Sequence, residues 1–319
     1  MQLETVLESP RKVLIAGIAQ NIEYNVLCIR DVFQKFKTLI PDSDMVIYEN
    51  NSIDTTKLKL NEWAEQDPRV HILCETITDD ELKAQTTSRD IYNSPSKEET
   101  KCLARNKLLD MLSQDKFQDY THVILMNLNN QNPPPVQKMA SYIISPPCEY
   151  DAMMCNGIDN KGRIFDHHAY RDEKYPFGPE ILGPEFWTDH HRNLACETIL
   201  FKKEMRPVLS AYNGMCILKK EAMKGLKFSV FPSTTLDTLY RTKCDRFIIP
   251  TNYQYNDGPI GMFYFSNNSV FYYFTSGVNV PLVNPFTNFF LEMRKNGFGK
   301  IMINPNFIWK WYSASFTVI

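Results

Sequence analysis

The first half of the chain alternates short apolar runs with helix-like segments. Runs at residues 12–19, 44–49 and 70–74 have the length and composition of buried strands. Between them, residues 24–39 place apolar side chains at helical spacing, and a polar loop at 50–56 can cap a helix over 57–64. Strands that alternate with helices form parallel sheets with right-handed crossovers. The pattern therefore predicts an α/β fold with a mostly parallel central sheet.

Two long polar stretches interrupt the predicted elements further along the chain. Residues 79–100 are predicted to be a loop or lid, within which Ser96 starts a helix that continues over 102–112. Residues 157–192 lack periodicity but are rich in aromatic and charged residues, which favours an ordered binding surface. Further strands or helices are predicted at residues 123–126, 133–144, 150–155, 206–219 and 299–305.

Composition indicates an ordinary globular protein. The chain has 319 residues, 43% hydrophobic and 23% charged, which is enough to bury a full core. A net charge of -2 argues against a dedicated nucleic-acid binder. The first ten residues lack the apolar core of a secretory signal, and no window approaches the length of a transmembrane segment. Because the cysteines are scattered without metal-binding spacing, we expect reduced thiols in a soluble, cytoplasmic protein.

One predicted strand near the middle of the chain ends in amides. Residues 123–126 are apolar, and the triplet Asn127-Leu-Asn129 follows them directly. Upstream, residues 104–107 read Ala-Arg-Asn-Lys on a predicted helix. Together these motifs resemble the core of GT-A glycosyltransferases, in particular the capsule-associated α-1,3-mannosyltransferase-like family. That family ends this strand in an Asp-x-Asp motif, which the two asparagines replace here.

Further segments extend the resemblance over residues 12–305. Residues 206–219 resemble the family's second fingerprint, 235–239 stand where it carries a short acidic motif, and 299–305 resemble its closing strand. The resemblance implies a single GT-A-like domain, with a Rossmann-like nucleotide-sugar half at 10–147 and a mixed acceptor half at 148–319. The implied reaction moves a hexose, with mannose as one candidate, from a GDP- or UDP-sugar to a glycan hydroxyl.

The resemblance also implies which residues bind the donor. Polar loops after the first two strands would contact the nucleotide, and Arg105 would fork onto a phosphate or onto sugar hydroxyls. The alternative for Arg105 is a surface arginine paired with Glu98 or Glu99. The expected donor-binding set is Gly17, Ala19, Gln20, Asn21, Glu49, Asn50, Asn51, Arg105, Lys107, Asn127 and Asn129.

The charge of the leaving nucleotide raises the question of a metal. Negative charge builds on the phosphate as the glycosidic bond breaks, and a positive group must stabilise it. Family members usually hold a divalent cation such as Mn²⁺ or Mg²⁺, for which Asn127 and Asn129 would be weak, uncharged ligands. Three explanations stay open: a metal-independent transferase in which Arg105 or Lys107 carries the charge, a fold that binds sugar nucleotide without turnover, or an engineered Asp-to-Asn change.

The second half supplies candidates for catalysis and acceptor binding. Asp237 matches the acidic motif by position and is the candidate base for the acceptor hydroxyl, and Arg105 is the other catalytic candidate. The histidine pairs at 167–168 and 190–191 could form a zinc site only if their loop folded back on itself, and solvated or buried histidines are the alternative. Acceptor-binding residues are expected at Asp166, His167, Trp187, Asp189, Asn213 and Gly214.

Two other classes of function compete with an active transferase. The first is a catalytically inactive sugar or nucleotide binder descended from such an enzyme. The second is a structural or assembly protein that uses the aromatic-rich residues 263–290, although those aromatics also suit a core between strands.

Overall fold

The computed structural model describes residues 11–90, 92–159, 162, 164–182, 186, 204–243, 260–264, 271–275 and 282–311. The strands are β1 (Val13–Ala19), β2 (Ser43–Asn50), β3 (Val70–Glu75), β4 (His122–Met126), β5 (Ala152–Ile158), β6 (Arg206–Pro207), β7 (Met215–Lys219), β8 (Ile260–Tyr264), β9 (Phe271–Thr275) and β10 (Ile301–Lys310). The helices are α1 (Val26–Leu39), α2 (Thr56–Gln66), α3 (Asp79–Gln85), α4 (Lys97–Leu112), α5 (Val136–Ile144), α6 (Pro179–Leu182), α7 (Thr234–Lys243) and α8 (Pro285–Lys295).

Eight strands form one sheet in the order β3-β2-β1-β4-β7-β5-β10-β6, and β8 pairs with β9 separately. The first four strands of this order run parallel to one another, as do β5 and β10. β7 lies antiparallel between β4 and β5, and β6 is antiparallel to β10. The prediction of an α/β fold with a mostly parallel central sheet is confirmed. Strands from both halves of the chain share the sheet, whereas the division at residue 147 stays a prediction.

The direction of the strands brings several loops to one edge. β1, β2, β3 and β4 all end there, and β5 and β10 end there too because they run antiparallel to β7. β7 begins at this edge, where Met215 pairs with Met126. In open α/β sheets, ligands bind outside the carboxyl ends of the parallel strands. We call this the carboxyl edge and the other the amino edge.

Helices cover both faces of the sheet. α4 and α8 pack on one face through apolar residues such as Leu108 and Phe289. α1, α2 and α5 pack on the other through residues such as Phe36, Trp63 and Met139. Burying one such side chain contributes about 1.5–3 kcal/mol. With both faces covered, the central strands are apolar along their length, which is why they read as continuous runs in the sequence.

The polar stretch predicted as a loop or lid contains a helix. α3 begins with a capping box in which the Thr78 side chain accepts from the Glu81 backbone and the Glu81 side chain accepts from the Thr78 backbone. The prediction missed α3 because the helix is polar and buries only Leu82. The predicted start of α4 at Ser96 is confirmed, since its Oγ accepts from the Glu99 amide at 3.3 Å.

Among the described residues, no helix has both the length and the apolar character needed to cross a membrane.

Candidate functional site

Asparagines stabilise the loops after β1 and β2. Asn21 and Asn51 have φ angles of 51° and 56°, in the left-handed region that asparagine tolerates better than most residues. The Asn21 backbone N–H donates to Ser52 Oγ at 2.8 Å, and the Asn21 side-chain oxygen accepts from the Ile53 backbone N–H at 2.9 Å. The Asn51 side chain bonds the backbone of Ile77 in both directions, at 2.8 Å each. These two predicted donor-binding residues therefore shape the loops with their side chains.

Glu49 is a buried carboxylate at the end of β2. Its Oε1 accepts from the Ser52 amide at 2.8 Å, and its Oε2 lies 3.7 Å from Lys57 Nζ. The side chain is fully buried, and no hydrogen-bond donor is found for Oε2 among the residues described. Asn50 beside it is buried and Gln20 is exposed. The Glu49 carboxylate therefore stabilises the loop after β2 from within, through the Ser52 amide and Lys57.

The loop after β4 is fixed by β1 and α1. A Cβ at Gly17 would lie 2.6 Å from Leu128 Cγ and 2.7 Å from the Met126 carbonyl oxygen, so this close approach requires glycine. The Asn25 side chain donates to the carbonyls of Leu128 and Asn130, at 2.6 Å and 2.9 Å. The amide-ended loop is therefore held rigidly at the carboxyl edge.

Asn127 is tied to the turn that precedes β7. Its backbone amide donates to the Gly214 carbonyl at 2.8 Å, and its side-chain oxygen accepts from the Tyr212 hydroxyl at 3.1 Å. Asn129 is exposed. Asn213 and Gly214 adopt φ angles of 57° and 92°. The structure thus brings the predicted residues Asn127, Asn213 and Gly214 together.

Arg105 lies on an aromatic platform near Asn127. Its guanidinium carbon is 4.8 Å from the centre of the Phe286 ring and 5.7 Å from that of Phe228. Tyr212, which bonds Asn127, stacks on the same Phe286 with centroids 3.7 Å apart. The Arg105 Nη1 atom is buried, and no acceptor is found for it in the described part of the chain. A buried donor without an acceptor is costly, so its position favours a ligand contact.

The surface ion pair considered for Arg105 is replaced by other contacts. Glu98 pairs with Lys101 at 2.8 Å. Glu99 is buried and accepts from the amides of Thr87 and Ser88, with distances of 2.7–3.0 Å. Both carboxylates are thus engaged elsewhere, which leaves the aromatic platform to orient Arg105.

Lys107 points to a different part of the carboxyl edge. Its Nζ lies 3.5 Å from Glu75 Oε1, at the end of β3. The Tyr48 hydroxyl donates to the other oxygen of Glu75 at 2.6 Å. Residues two apart on a helix do not share a face. Of the two cationic side chains predicted at the donor site, Arg105 is therefore the one whose contacts lead to Asn127, through Phe286 and Tyr212.

Asp166 lies within the electrostatic reach of Arg105. Burial raises the pKa of Asp166 to about 6, against the lowering effect of a hydrogen bond from the Ala169 amide and of the charges of Arg105 and Arg171. A carboxyl with this pKa can take up and release a proton near neutral pH. His167, also predicted at the acceptor site, stacks on Phe186 with centroids 5.8 Å apart. Trp187, Asp189 and the second histidine pair lie outside the described residues.

The structure places Asp237 in a separate cluster. It lies on α7, where its side chain accepts a hydrogen bond from the Tyr272 hydroxyl. α7 packs against α8, and the Thr235 hydroxyl on α7 donates to Glu292 on α8. The contacts seen among described residues do not link Asp237 directly to Asn127 or Arg105. Its role as a base stays a prediction.

The donors near Asn127 do not fit a divalent cation. Mg²⁺ and Mn²⁺ prefer carboxylate ligands, and asparagine oxygens bring no charge. The Asn127 side-chain oxygen already accepts from Tyr212. Within the described parts of the chain, no group of three or more His, Cys, Asp or Glu side chains is arranged to hold a metal. We therefore derive no catalytic step through a metal.

Sequence reasoning missed several aromatic residues at the carboxyl edge. Trp311, directly after β10, lies against Gly214 so closely that a Cβ there would clash with the indole. Phe165 stacks on Trp311 with centroids 3.8 Å apart and planes 11° apart. Tyr212 lies within the predicted segment 206–219 and could have been singled out from the sequence, whereas Trp311 lies six residues beyond the strand predicted at 299–305. The contribution of Phe286 depends on how α8 packs, which no local pattern reveals.

Neither a protein-family model nor a curated protein matches this chain. Among solved structures, it is similar to S. aureus TarS in complex with UDP-GlcNAc, at 14% identity and a TM-score of 0.35, over 68% of this chain and 48% of that one. A mannosyltransferase, PcManGT from Pyrobaculum calidifontis in complex with GDP-Man and Mn²⁺, is similar at 13% identity and a TM-score of 0.37, over 69% and 48%.

The glucosyl-3-phosphoglycerate synthase of M. tuberculosis is similar at 14% identity and a TM-score of 0.38, over 74% of this chain and 68% of that one. The chain spans about half the length of PcManGT and 30% of a longer TarS chain. Identities and TM-scores this low assign no activity to this chain.

Proposed function

We propose that the chain binds a nucleotide sugar at the carboxyl edge and transfers its hexose to a hydroxyl of a glycan acceptor. The observation that carries this proposal is Arg105, a cation oriented by aromatic rings beside the amide-ended β4 loop. The motif at residues 104–107 and the loop after β4 are also the segments that resemble GT-A glycosyltransferases.

Arg105 would supply the positive charge that the reaction needs. When the glycosidic bond breaks, the electron pair stays with the nucleotide diphosphate, and charge grows on its phosphate oxygens. A guanidinium can donate two parallel hydrogen bonds to such oxygens. Asn127 and Asn129 carry no negative charge that would repel the diphosphate. We therefore propose a metal-independent transferase.

The nucleotide would lie over the loops after β1 and β2. The exposed Gln20 offers an amide to a ribose hydroxyl or a base edge, and the buried Glu49 carboxylate, 3.7 Å from Lys57 Nζ, would hold the loop beneath the nucleotide. Backbone groups near Gly17 and Ala19 would approach the ligand closely, as in other sheets of this kind. GDP- and UDP-sugars are both compatible with these groups, and mannose is one candidate hexose.

The acceptor would enter between Arg105 and the residues that follow β5 and β10. Asp166 has a pKa suited to accept the hydroxyl proton if the reaction inverts the sugar. If the reaction retains the configuration, the protein need only position the acceptor and stabilise the leaving phosphate. Phe165, which is only partly buried where it stacks on the buried Trp311, would offer an apolar ring to the acceptor sugar.

The proposal is tested by donor hydrolysis and transfer assays with UDP- and GDP-sugars, each with Mn²⁺ and with a chelator. Turnover that the chelator does not reduce supports the metal-independent enzyme. Binding of a sugar nucleotide without turnover favours the inactive binder, for which the missing Asp-x-Asp carboxylates are the specific argument. Failure of every sugar nucleotide to bind would refute both.

A matched pair of variants tests the role of Arg105. Arg105→Gln should reduce kcat by about tenfold to a hundredfold, because a charged hydrogen bond to the leaving group contributes about 1.5–3 kcal/mol. Arg30→Gln on α1 removes an arginine for which no contact with Asn127 or Phe286 is found among the described residues, and it should leave kcat unchanged. Equal effects of the two changes would contradict the assignment.

A further inference from the structure

Arg171 is a buried arginine in the irregular segment between β5 and α6, the same segment that carries Asp166. The exposed fraction of its side chain is 0%. None of the contacts proposed for the donor or the acceptor involves it. Burying a cation costs free energy unless the charge is paired and hydrogen-bonded, so the contacts of this side chain show what it stabilises.

The guanidinium holds the loop from within. Its Nη1 donates to the carbonyls of His168 and Tyr170, at 2.8 Å and 2.7 Å. Its Nη2 donates to both carboxylate oxygens of Glu180 on α6, at 2.7 Å and 3.0 Å. A Cβ at Gly178 would lie 1.6 Å from the same Nη2, so a larger residue there would displace the guanidinium. The loop is thus folded around one side chain.

The backbone of Arg171 ties the loop to the segment before β7. Its N–H donates to the Ser210 carbonyl at 2.9 Å, and its carbonyl accepts from the backbone N–H groups of Leu209 and Ser210, at 2.8 Å and 3.2 Å. The Ser210 hydroxyl donates to the Ala169 carbonyl, and the Ala169 N–H donates to Asp166 Oδ1 at 3.3 Å. A continuous set of hydrogen bonds therefore runs from Arg171 to the Asp166 carboxyl.

The positive charge of Arg171 is only partly offset by Glu180. That carboxylate also accepts from the Tyr240 hydroxyl on α7. The Nε atom of Arg171 is buried, and no acceptor is found for it in the described part of the chain. Burial raises the pKa of Asp166, and the charge of Arg171 opposes this rise.

Other charged or titratable groups also face the Asp166 carboxyl. After burial, which raises its pKa most, Arg105 on α4 lowers the pKa and Glu98 on the same helix raises it. Tyr212, before β7, is also within reach, because the charge of Asp166 adds to the effect of burial in raising the pKa of that hydroxyl. Among these groups, Arg171 is the one that shares a loop with Asp166.

We propose that Arg171 is a positioning residue of the transfer reaction, which anchors the loop of Asp166 to the segment before β7 and stabilises the charged form of its carboxyl. This inference rests on the proposed function, with Asp166 as the base that accepts the proton of the acceptor hydroxyl.

The test compares the wild-type protein with a double variant, Arg171→Met with Glu180→Gln. Removing both charges leaves neither of them buried without a partner, and the glutamine can still accept from the Tyr240 hydroxyl. Carbon NMR of the carboxyl groups over a pH series measures the pKa of Asp166, and the Asp166→Asn protein identifies its signal.

The direction of the change separates a role in charge from a role in structure alone. We expect the pKa of Asp166 to rise from about 6 by about 1, because the carboxylate loses an opposite charge. If Arg171 only held the loop closed, its loss would let water reach Asp166, and the pKa would fall toward 3.8. A fall, or no change, overturns the proposal.

Two further variants provide controls. Arg206→Met with Asp172→Asn removes a second ion pair of the same loop and should leave the pKa of Asp166 unchanged. An equal rise in this control would make the change a general effect of altering the loop and would also overturn the proposal. Arg171→Lys keeps the charge but loses the forked contacts, so it should preserve the pKa of Asp166 and lower kcat. An unchanged kcat would refute the positioning role.

Transfer assays connect these measurements to the reaction. At about pH 6 the kcat of the Arg171→Met/Glu180→Gln protein should fall about fivefold, because a base with a higher pKa is protonated in more of the enzyme. The KM for the sugar nucleotide should not change. Absence of transfer by the wild-type protein would refute the proposed function, whereas normal transfer with the same pH profile in both proteins would overturn the role of Arg171 alone.

Discussion

Replacing Asp166 by asparagine should change how the stability of the protein depends on pH. Burial raises the folded-state pKa of Asp166 from 3.8 to about 6, so folding favours the protonated form of this carboxyl. The wild-type protein therefore loses stability as the pH rises from about 3.8 through about 6, where the folded state still holds the proton that the unfolded chain has released.

The size of the effect follows from the two pKa values. At about pH 7.5 the charged carboxylate costs about 3 kcal/mol of folding free energy, and at about pH 5 it costs about half as much. The asparagine variant does not titrate, so it avoids this cost at both pH values. Its gain in stability over wild type should thus be about 1–2 kcal/mol larger at about pH 7.5 than at about pH 5.

Urea unfolding of the two proteins at both pH values measures this difference. Asp172→Asn is the matched control in the same loop. Burial raises the pKa of Asp172, but hydrogen bonds from Tyr170 and Arg206 lower it further, so the pKa is below its usual value. Removing this charge should therefore reduce the free energy of unfolding more at neutral pH than at acid pH. If the gain of Asp166→Asn is the same at both pH values, Asp166 is not held in a desolvated site and its proposed role as a base fails.

Three further changes test the geometry of the carboxyl edge. Gly17→Ala should destabilise the protein by about 1–3 kcal/mol in urea unfolding, because its Cβ would press on Leu128 and on backbone that cannot yield; a loss below about 0.5 kcal/mol would contradict the close approach. Tyr212→Phe removes the hydrogen bond to Asn127 and should weaken sugar-nucleotide binding by about threefold to tenfold in calorimetry, whereas an unchanged affinity would separate this pair from the donor site. Changing Asn127 and Asn129 together to Asp should create measurable Mn²⁺ binding, because the loop after β4 would then carry two carboxylates. If Mn²⁺ affinity does not increase, this loop does not lie at a metal site.

Most of the sheet could be predicted from the sequence because its central strands are buried on both faces. β1, β2, β3 and β4 were each found to within about two residues, which is the usual uncertainty at element ends. α3 was missed because its helical signal consists of a capping box and a single buried leucine. The insertion of β7 between β4 and β5 also could not be derived, since it pairs segments about sixty to a hundred residues apart.

Local sequence determined which residues end the strands, and strand direction then placed Asn21, Asn51, Asn127 and the Asn213 turn at one edge. For the loops after β1, β2 and β4 this follows from chain order, because parallel strands end on the same side, whereas the Asn213 turn joins them because β7 is antiparallel to β4. Tertiary packing decided what those residues do. It engaged the Asn21 and Asn51 side chains in loop structure.

Packing also separated residues that the sequence had grouped. Arg105 and Lys107 are neighbours on one helix, yet the first lies on Phe286 and the second pairs with Glu75. Asp237 was assigned by its position in a motif, whereas Asp166 acquired its raised pKa from burial beside groups distant in the chain. A sequence specifies which side chains are present and how they alternate. The desolvation of a carboxyl group and its interaction with nearby charges, which set its pKa, depend on distances that exist only after the chain has folded.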